Sequence, residues 1–536
     1  MESHVNFMAK LADVLVEAGH NVTILDSEIR PELFHRTKVA KDFITVHRSP
    51  EIAKITIDYK DMATTAWNSA ISPHDQTRAM EKIGELSRLQ CEFLANGEVI
   101  EKLKNLQPFD VGIHEVFDVC GLGVFESIDL KKHIIVSSTV MMDAPARYAG
   151  IYSGWSTSGI LSDYGSGIAV SEKMRNAEFH IGWERFFRMQ TDSVEKTFAK
   201  RHSMKTPFTN LIGKTSAMFV NTHPLLESYK PWARFLYDIG GISVNPPQPL
   251  NEDYLNLISK WNRIVVVSFG TALPSMFMPL HIRNSLLSAF LQFPDTLFIW
   301  KYERDDEFST QNFNNVAFRK FLPQNDLINS GKTALFIGHG GQNGLLEASK
   351  AGVPIVVIPI FGDQHRNAKS FEEAGMAVLV KKTEFKSDAK IKAAIEESLN
   401  GQKIRSTARS ISDLMKNPRI DPTRLFTSIV ESTCEAPLRH PFKPFSSYYD
   451  VIFIHKIAKI ILTMIYATIF IILGFLAYKF LPNYSTGLIL QFFYEIYQKL
   501  LIDSKVEKDE DQQKVSNNGT YSSEVNDRPS CSKNSD

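Results

Sequence analysis

In the opening stretch MESHVNFMAKLADVLVEAGHNVTILD, apolar Phe7, Leu11, Val14, Leu15 and Ala18 recur at helical spacing, Gly19 supplies a stop, and Val22 to Leu25 reads as a strand. That is the second half of a strand–helix–strand unit. Its first strand is missing, which reads as a truncated gene model, an alternative start or a chain written without its first segment. Further on, Asp110 to Ile113 and His133 to Ser137 read as short buried strands. Residues 141–189, rich in Gly, Ser, Tyr and Trp, read as loops and irregular helices of the kind that line a binding surface. Gly, Pro and Asn cluster in GGISVNPPQPLNED, and a new series follows: Ile264 to Ser268, Leu297 to Trp300, Leu335 to Ile337, Ile355 to Pro359 and Ala377 to Val380. Helix-length segments separate these β-branched runs, as in parallel strands buried on both faces. The fold class is therefore α/β, with two Rossmann-like domains at residues 1–240 and 254–435 and a linker at 241–253.

A different pattern takes over after a juxtamembrane segment at 436–459. Residues 460–478 carry no charge, and a helix of that length matches the hydrocarbon core of a bilayer, so the pattern predicts a transmembrane helix. Lys456, Lys459 and Lys479 flank it almost symmetrically and leave its orientation unread. Residues 488–502 read as interfacial, and the tail 479–536 reads as disordered from about residue 503 because it is too polar to bury a core. No signal peptide opens the chain as written.

Composition narrows the function. Lys plus Arg and Asp plus Glu are both 60 in 536 residues, so no basic stripe marks a nucleic-acid binder. The four cysteines, Cys91, Cys120, Cys434 and Cys531, form no CxxC pair and leave room for one or two bridges, not for a zinc ribbon.

The richest segment is FLPQNDLINSGKTALFIGHGGQNGLLEASKAGVPIVVIPIFGDQ, residues 321–364. A strand enters Gly338-His339-Gly340-Gly341 and a helix follows, which aims backbone N–H groups and a positive helix end at an anion such as a diphosphate. His339 can donate to a phosphate oxygen. Asn343 and Glu347 follow at steps of four, where a carboxylate can accept from ribose hydroxyls.

As a whole this stretch resembles the signature of the UDP-glycosyltransferases, of the nematode or vertebrate UDP-glucuronosyltransferase type, and the likeness extends from residue 3 to about 480. The resemblance implies a GT-B architecture and inverting transfer of a glucuronosyl or glucosyl group from a UDP-sugar co-substrate to a hydroxyl of a small lipophilic acceptor. It implies no cofactor. It places uracil against Phe321 and Gln324, the diphosphate on Gly270, Thr271, His339, Gly341, Asn343 and Gly344, the ribose on Glu347, and sugar hydroxyls on Asp363 and Gln364. Two signature positions differ: Phe321 stands where Trp is usual, and Gly338 where Thr or Ser is usual, which should loosen the loop.

Transfer needs a base for the acceptor proton. The resemblance assigns it to His4, oriented by a carboxylate at Glu115, where the family has Asp. Asp118 and His114 are the nearby alternatives. No metal is expected, since the sole DxD match, Asp509 and Asp511, lies in the polar tail; the helix dipole and His339 would neutralise the leaving group. The resemblance further implies a single-pass membrane protein of the endoplasmic reticulum with lumenal catalytic domains, in contact with membrane lipid and acting in detoxification. Self-association stays open. A nucleotide oxidoreductase would need a third glycine that Gly121-Leu122-Gly123 lacks. The competing reading is an impaired paralogue that binds UDP-sugar or a partner without turnover.

Overall fold

A computed structural model describes residues 2–435 apart from 30–36, 56–58, 69–72, 152–169, 228–229, 231–232, 272 and 385–386; beyond 435 it describes only 457, 460–461, 463–465, 467–469 and 471–472. The chain divides into two units, Met1–Ile452 and Phe453–Asp536. The sheets, cores and candidate site all lie in the first.

The N-terminal part of that unit holds β1 (Thr23–Ser27), β2 (Asp42–Val46), β3 (Gly112–Glu115), β4 (His133–Ser137), β5 (Ala217–Val220) and β6 (Leu236–Asp238). All pairings are parallel, in two ladders, β1-β2 and β3-β4-β5-β6. The first helix, Glu2–Glu17, buries Phe7, Leu11, Val14 and Leu15 against Ile134, Val136, Ala217 and Phe219. Burying an aliphatic or aromatic side chain of this size stabilises by roughly 1.5–3 kcal/mol. Ala18 lies past the helix end and is exposed, and Gly19, at φ 94°, turns the chain toward β1.

The C-terminal part is one six-stranded parallel sheet of β7 (Arg263–Ser268), β8 (Thr296–Lys301), β9 (Val316–Arg319), β10 (Thr333–Gly338), β11 (Ile355–Val357) and β12 (Ala377–Leu379), in the order β12-β11-β10-β7-β8-β9. The strand order reverses between β10 and β7, and such a switch point opens a crevice at the carboxyl ends of the strands. Gly270 follows β7 and His339 follows β10, so the topology brings both to that crevice.

Three expectations change. The helix Pro422–Glu435, placed by sequence in the second domain, packs on the first: Phe426 and Val430 join the cluster of the first helix, Phe426 lies 5.0 Å from Phe219, and Lys132 Nζ donates to the Cys434 carbonyl. Its apolar stripe needs cover that the first domain's sheet supplies. The described residues of 141–189 are largely regular, because helices run over Asp143–Tyr148 and from Val170 to His202, the latter burying Phe179, Trp183, Phe186, Val194 and Phe198 at helical spacing. The strand expected at Asp110 to Ile113 begins two residues later, which makes Glu115 its last residue.

No helix among the described residues is long and apolar enough to cross a membrane. Of the expected span at 460–478, residues 462, 466, 470 and 473–478 fall outside those residues, and the segment 488–502 and the tail wholly so. The described positions between 460 and 472 are helical, with Ile460, Met464 and Ile471 exposed.

Candidate active site

His4 sits in the first turn of the first helix, Glu115 ends β3 and Ser138 follows β4; because these elements lie side by side, three distant residues meet. His4 Nδ1 is 3.1 Å from Glu115 Oε1 and 2.7 Å from Ser138 Oγ, and Ser138 Oγ donates to Glu115 Oε1 at 2.9 Å. This network assigns the proton of His4 to Nδ1 and leaves Nε2 with its lone pair. Glu115 also accepts from the N–H groups of Phe117 at 2.6 Å and Ser138 at 3.2 Å. Burial by itself would raise the Glu115 carboxyl, but His4 and these donors outweigh it and hold the group below the ordinary carboxylate range. Glu115 is therefore ionised at neutral pH.

The alternatives turn elsewhere. Asp118 accepts from the Cys120 N–H, and burial pushes its carboxyl up to about 6; His114 Nδ1 faces the carbonyls of Glu115 and Asp118, and burial lowers its pKa. Among these candidates Glu115 alone hydrogen-bonds His4. Phe117 meets the His4 ring edge-on at 5.2 Å, and Trp183 lies 5.8 Å beyond Phe117, so an aromatic wall runs from the imidazole toward the long helix.

The helix Gln342–Ala351 opens at Gly341, and the N–H groups of its first turn have no intrahelical acceptor. The His339 ring explains two glycines: a Cβ on Gly270 would lie 2.7 Å from it, and one on Gly341 2.6 Å. Burial pushes the His339 imidazole down to about 4, so it is neutral and can donate a hydrogen bond but no charge. The charge expected of it is not there. A cation the sequence did not single out, Lys301 at the end of β8, donates to the Gly270 carbonyl at 2.9 Å and acts electrostatically on His339. Gly338 does not loosen the loop: it is paired with Ser268 and Val357, and its missing Cβ leaves room for the Phe336 ring, 2.7 Å from where that atom would stand.

Phe321 presents a face that is 68% exposed while its carbonyl accepts from Tyr254 Oη at 2.7 Å. Nearby, Gln324 Nε2 donates to Glu347 Oε2 at 2.7 Å, and Gly344 is small enough to let Gln324 lie against the helix. Thr271 is exposed beyond Gly270. Asn343 departs from its expected place, because its Oδ1 accepts from Asn221 Nδ2 at 2.9 Å across the domain junction.

Asp363 begins the next helix, Gln364–Glu373, and accepts from Asn367 Nδ2 at 2.9 Å. Burial raises its carboxyl, and His4 in the other domain pulls electrostatically in the opposite direction. Gln364 is buried, and its Oε1 accepts from the Ile360 and Phe361 N–H groups, so that oxygen shapes the loop and is not offered to a sugar. Asp509 and Asp511 lie outside the described residues.

Sequence reasoning missed Ser138, Lys301 and the Cys91–Cys120 disulfide. A serine just past an apolar strand and a lysine ending one are too common locally to stand out, and four cysteines allow several pairings.

Comparison with known proteins gives the family and the fold. Residues 1–481 match the family model "UDP-glucoronosyl and UDP-glucosyl transferase". Two Caenorhabditis elegans relatives are "Putative UDP-glucuronosyltransferase ugt-55", 39% identical with 86% of this chain and 91% of the relative covered, and "Putative UDP-glucuronosyltransferase ugt-56", 38% identical with 84% and 86% covered. Among solved structures, Phytolacca americana UGT2 with UDP-2fluoro-glucose and pterostilbene matches with TM-score 0.53 at 16% identity, over 81% of this chain and 98% of that one. The glycotransferase of kitacinnamycin matches with TM-score 0.54 at 15% identity, over 80% and 95%. These structures share the GT-B fold, two parallel-sheet α/β domains around a cleft. By the family model and its relatives, the chain belongs to the UDP-glucuronosyl and UDP-glucosyl transferase family and is a UDP-glycosyltransferase.

Proposed function

We propose that the protein transfers a glucosyl or glucuronosyl group from a UDP-sugar to a hydroxyl of a small lipophilic acceptor, in one in-line step with inversion at the anomeric carbon. The observation that carries this is the His4–Glu115–Ser138 triangle. His4 Nε2 takes the acceptor proton as the oxygen attacks, while ionised Glu115 steadies the imidazolium through Nδ1. The diphosphate leaves toward the N–H groups of Gly341 and the first turn of Gln342–Ala351, with Lys301 close by, and no cofactor enters the step. Uracil stacks on Phe321, Gln324 and Glu347 hold the uridine, and Asp363 holds sugar hydroxyls. The partly exposed Phe117 ring beside His4, backed by buried Trp183, supports a flat lipophilic acceptor. An intact base–carboxylate pair favours turnover over the reading of an impaired paralogue.

The same reading places the protein in the endoplasmic reticulum membrane, with the catalytic domains in the lumen and a role in detoxification. A disulfide joining Cys91 to Cys120 suits an oxidising compartment, and 460–478 supplies the span. The test is turnover of a phenol panel with UDP-glucose and UDP-glucuronic acid as donors, reading the anomeric configuration of the product by NMR. A retained configuration, or UDP binding without product from any pair, would overturn it.

A further inference from the structure

Among the described residues, one buried ion pair joins the N-terminal and C-terminal parts at the cleft. Arg366 Nη2 donates to Glu227 Oε1 at 2.9 Å, Arg366 Nη1 donates to the Met141 carbonyl at 3.1 Å, and the two side chains are 2% and 3% exposed. Glu227 and Met141 lie in segments that follow β5 and β4, at the carboxyl ends of the first domain's sheet. Arg366 lies one helical turn after Asp363. Beside it, Asn221 and the helix Gln342–Ala351 meet through two hydrogen bonds, Asn221 Nδ2 to Asn343 Oδ1 at 2.9 Å and Gln342 Nε2 to the Asn221 carbonyl at 2.8 Å.

We infer that Arg366 and Glu227 form the latch that closes the cleft, a positioning pair that sets the distance from His4 to the sugar-holding Asp363. The inference rests on the reading of those two residues given above. Apolar burial also crosses the junction, where Trp67 packs edge-on against Phe269 at 5.4 Å in a core that includes Leu273, and such burial favours closure without fixing its direction. The buried ion pair adds specificity rather than net energy: its desolvation cost roughly cancels its attraction, but only the closed geometry satisfies both groups. The planar guanidinium fork fixes direction as well as distance, since one arm binds a carboxylate and the other a backbone carbonyl. Arg366 shares its helix with Asp363, so any slip at the latch moves Asp363 relative to His4. Neither latch residue touches the reacting atoms.

The test uses the full chain with Glu227→Gln, Arg366→Met, Arg366→Lys and the Glu227→Gln/Arg366→Met double variant. A misplacement of about 1 Å costs on the order of 100-fold in rate, so kcat should fall about 10-fold to 100-fold in Glu227→Gln and Arg366→Met. The UDP dissociation constant, by calorimetry, should stay within about twofold, because the UDP-binding residues proposed above lie in one domain. Arg366→Lys should keep more activity than Arg366→Met, and the double variant should be no worse than the poorer single. Small-angle scattering should report a larger radius of gyration for Arg366→Met with UDP bound, a readout that stands even if the wild type proves inactive and the functional reading fails. Unchanged kcat, losses that multiply in the double variant, or UDP affinity falling in step with kcat would each overturn the latch.

Discussion

Nδ1 of His4 lies 3.1 Å from Oε1 of Glu115 across 111 residues of chain, and Ser138 Oγ stands within hydrogen-bond distance of both. The Phe117 and Ser138 N–H groups hold the Glu115 carboxylate where it meets the ring. His4→Ala should lower kcat by about 100-fold to 10,000-fold and leave UDP affinity nearly unchanged. Ser138→Ala should cost less, since the direct contact between ring and carboxylate survives. Full activity in His4→Ala would remove the base assignment, and a neutral Glu115→Ala would remove the orienting role.

Glu347 gives the donor site a pH dependence of definite sign. Burial pushes its carboxyl up to about 7 from 4.5, against the Gln324 hydrogen bond. An acid whose pKa is raised on folding binds more protons folded than unfolded, so its contribution to stability is lost as pH rises from 4.5 to about 7. Asp118, raised to about 6, adds a slope of the same sign at lower pH. Thermal melts of Glu347→Gln should therefore lose part of the acid-side gain seen in the wild type. Ribose hydroxyls donate to the ionised form, so UDP affinity should rise through pH 7 with release of a proton. Calorimetry in two buffers of different ionisation enthalpy reads that proton, and a pH-independent affinity would contradict it.

Restoring a hydroxyl at position 338 should harm the protein. Gly338→Thr puts a Cβ 2.7 Å from the Phe336 ring and 3.3 Å from the Ser268 carbonyl. Overpacking of this kind costs about 1–3 kcal/mol, so the melting temperature should drop. Adding Phe336→Leu should recover most of the loss, and no recovery would show that the ring is not what the glycine accommodates.

The Cys91–Cys120 bridge ties the helix Pro73–Asn96 to Cys120–Ser127, five residues after Glu115. Closing a loop of 29 residues stabilises by roughly 2–4 kcal/mol. Peptide mapping without reductant should recover the linked pair, and Cys91→Ser should lower the melting temperature. Two free thiols in protein from an oxidising compartment would refute the pairing.

Much of the fold was legible because it is written locally. β4 begins and ends where its apolar run does, and β7, β8 and β10 extend only slightly past theirs. The long helix Val170–His202 was obscured by its own aromatic content, although its buried rings keep helical spacing. By sequence the segment 422–435 falls in the second domain, since the apolar stripe of the helix Pro422–Glu435 records that it must be covered and not by what.

By itself the sequence determined the longer apolar strands, the glycine loop before Gln342–Ala351 and the residue types that a nucleotide sugar requires, because apolar periodicity and backbone freedom act over a few neighbouring residues, whereas β2, β5, β6 and β9 emerged only in the fold. The tertiary structure decided which distant groups meet: Ser138 between His4 and Glu115, Asn221 against Asn343, Arg366 against Glu227. It also decided the charge states of His339 and Glu347, since burial sets them and burial depends on packing. Contacts across 100 residues or more are fixed by how sheets and helices cover one another, a global balance of buried area and satisfied polar groups that no local pattern encodes.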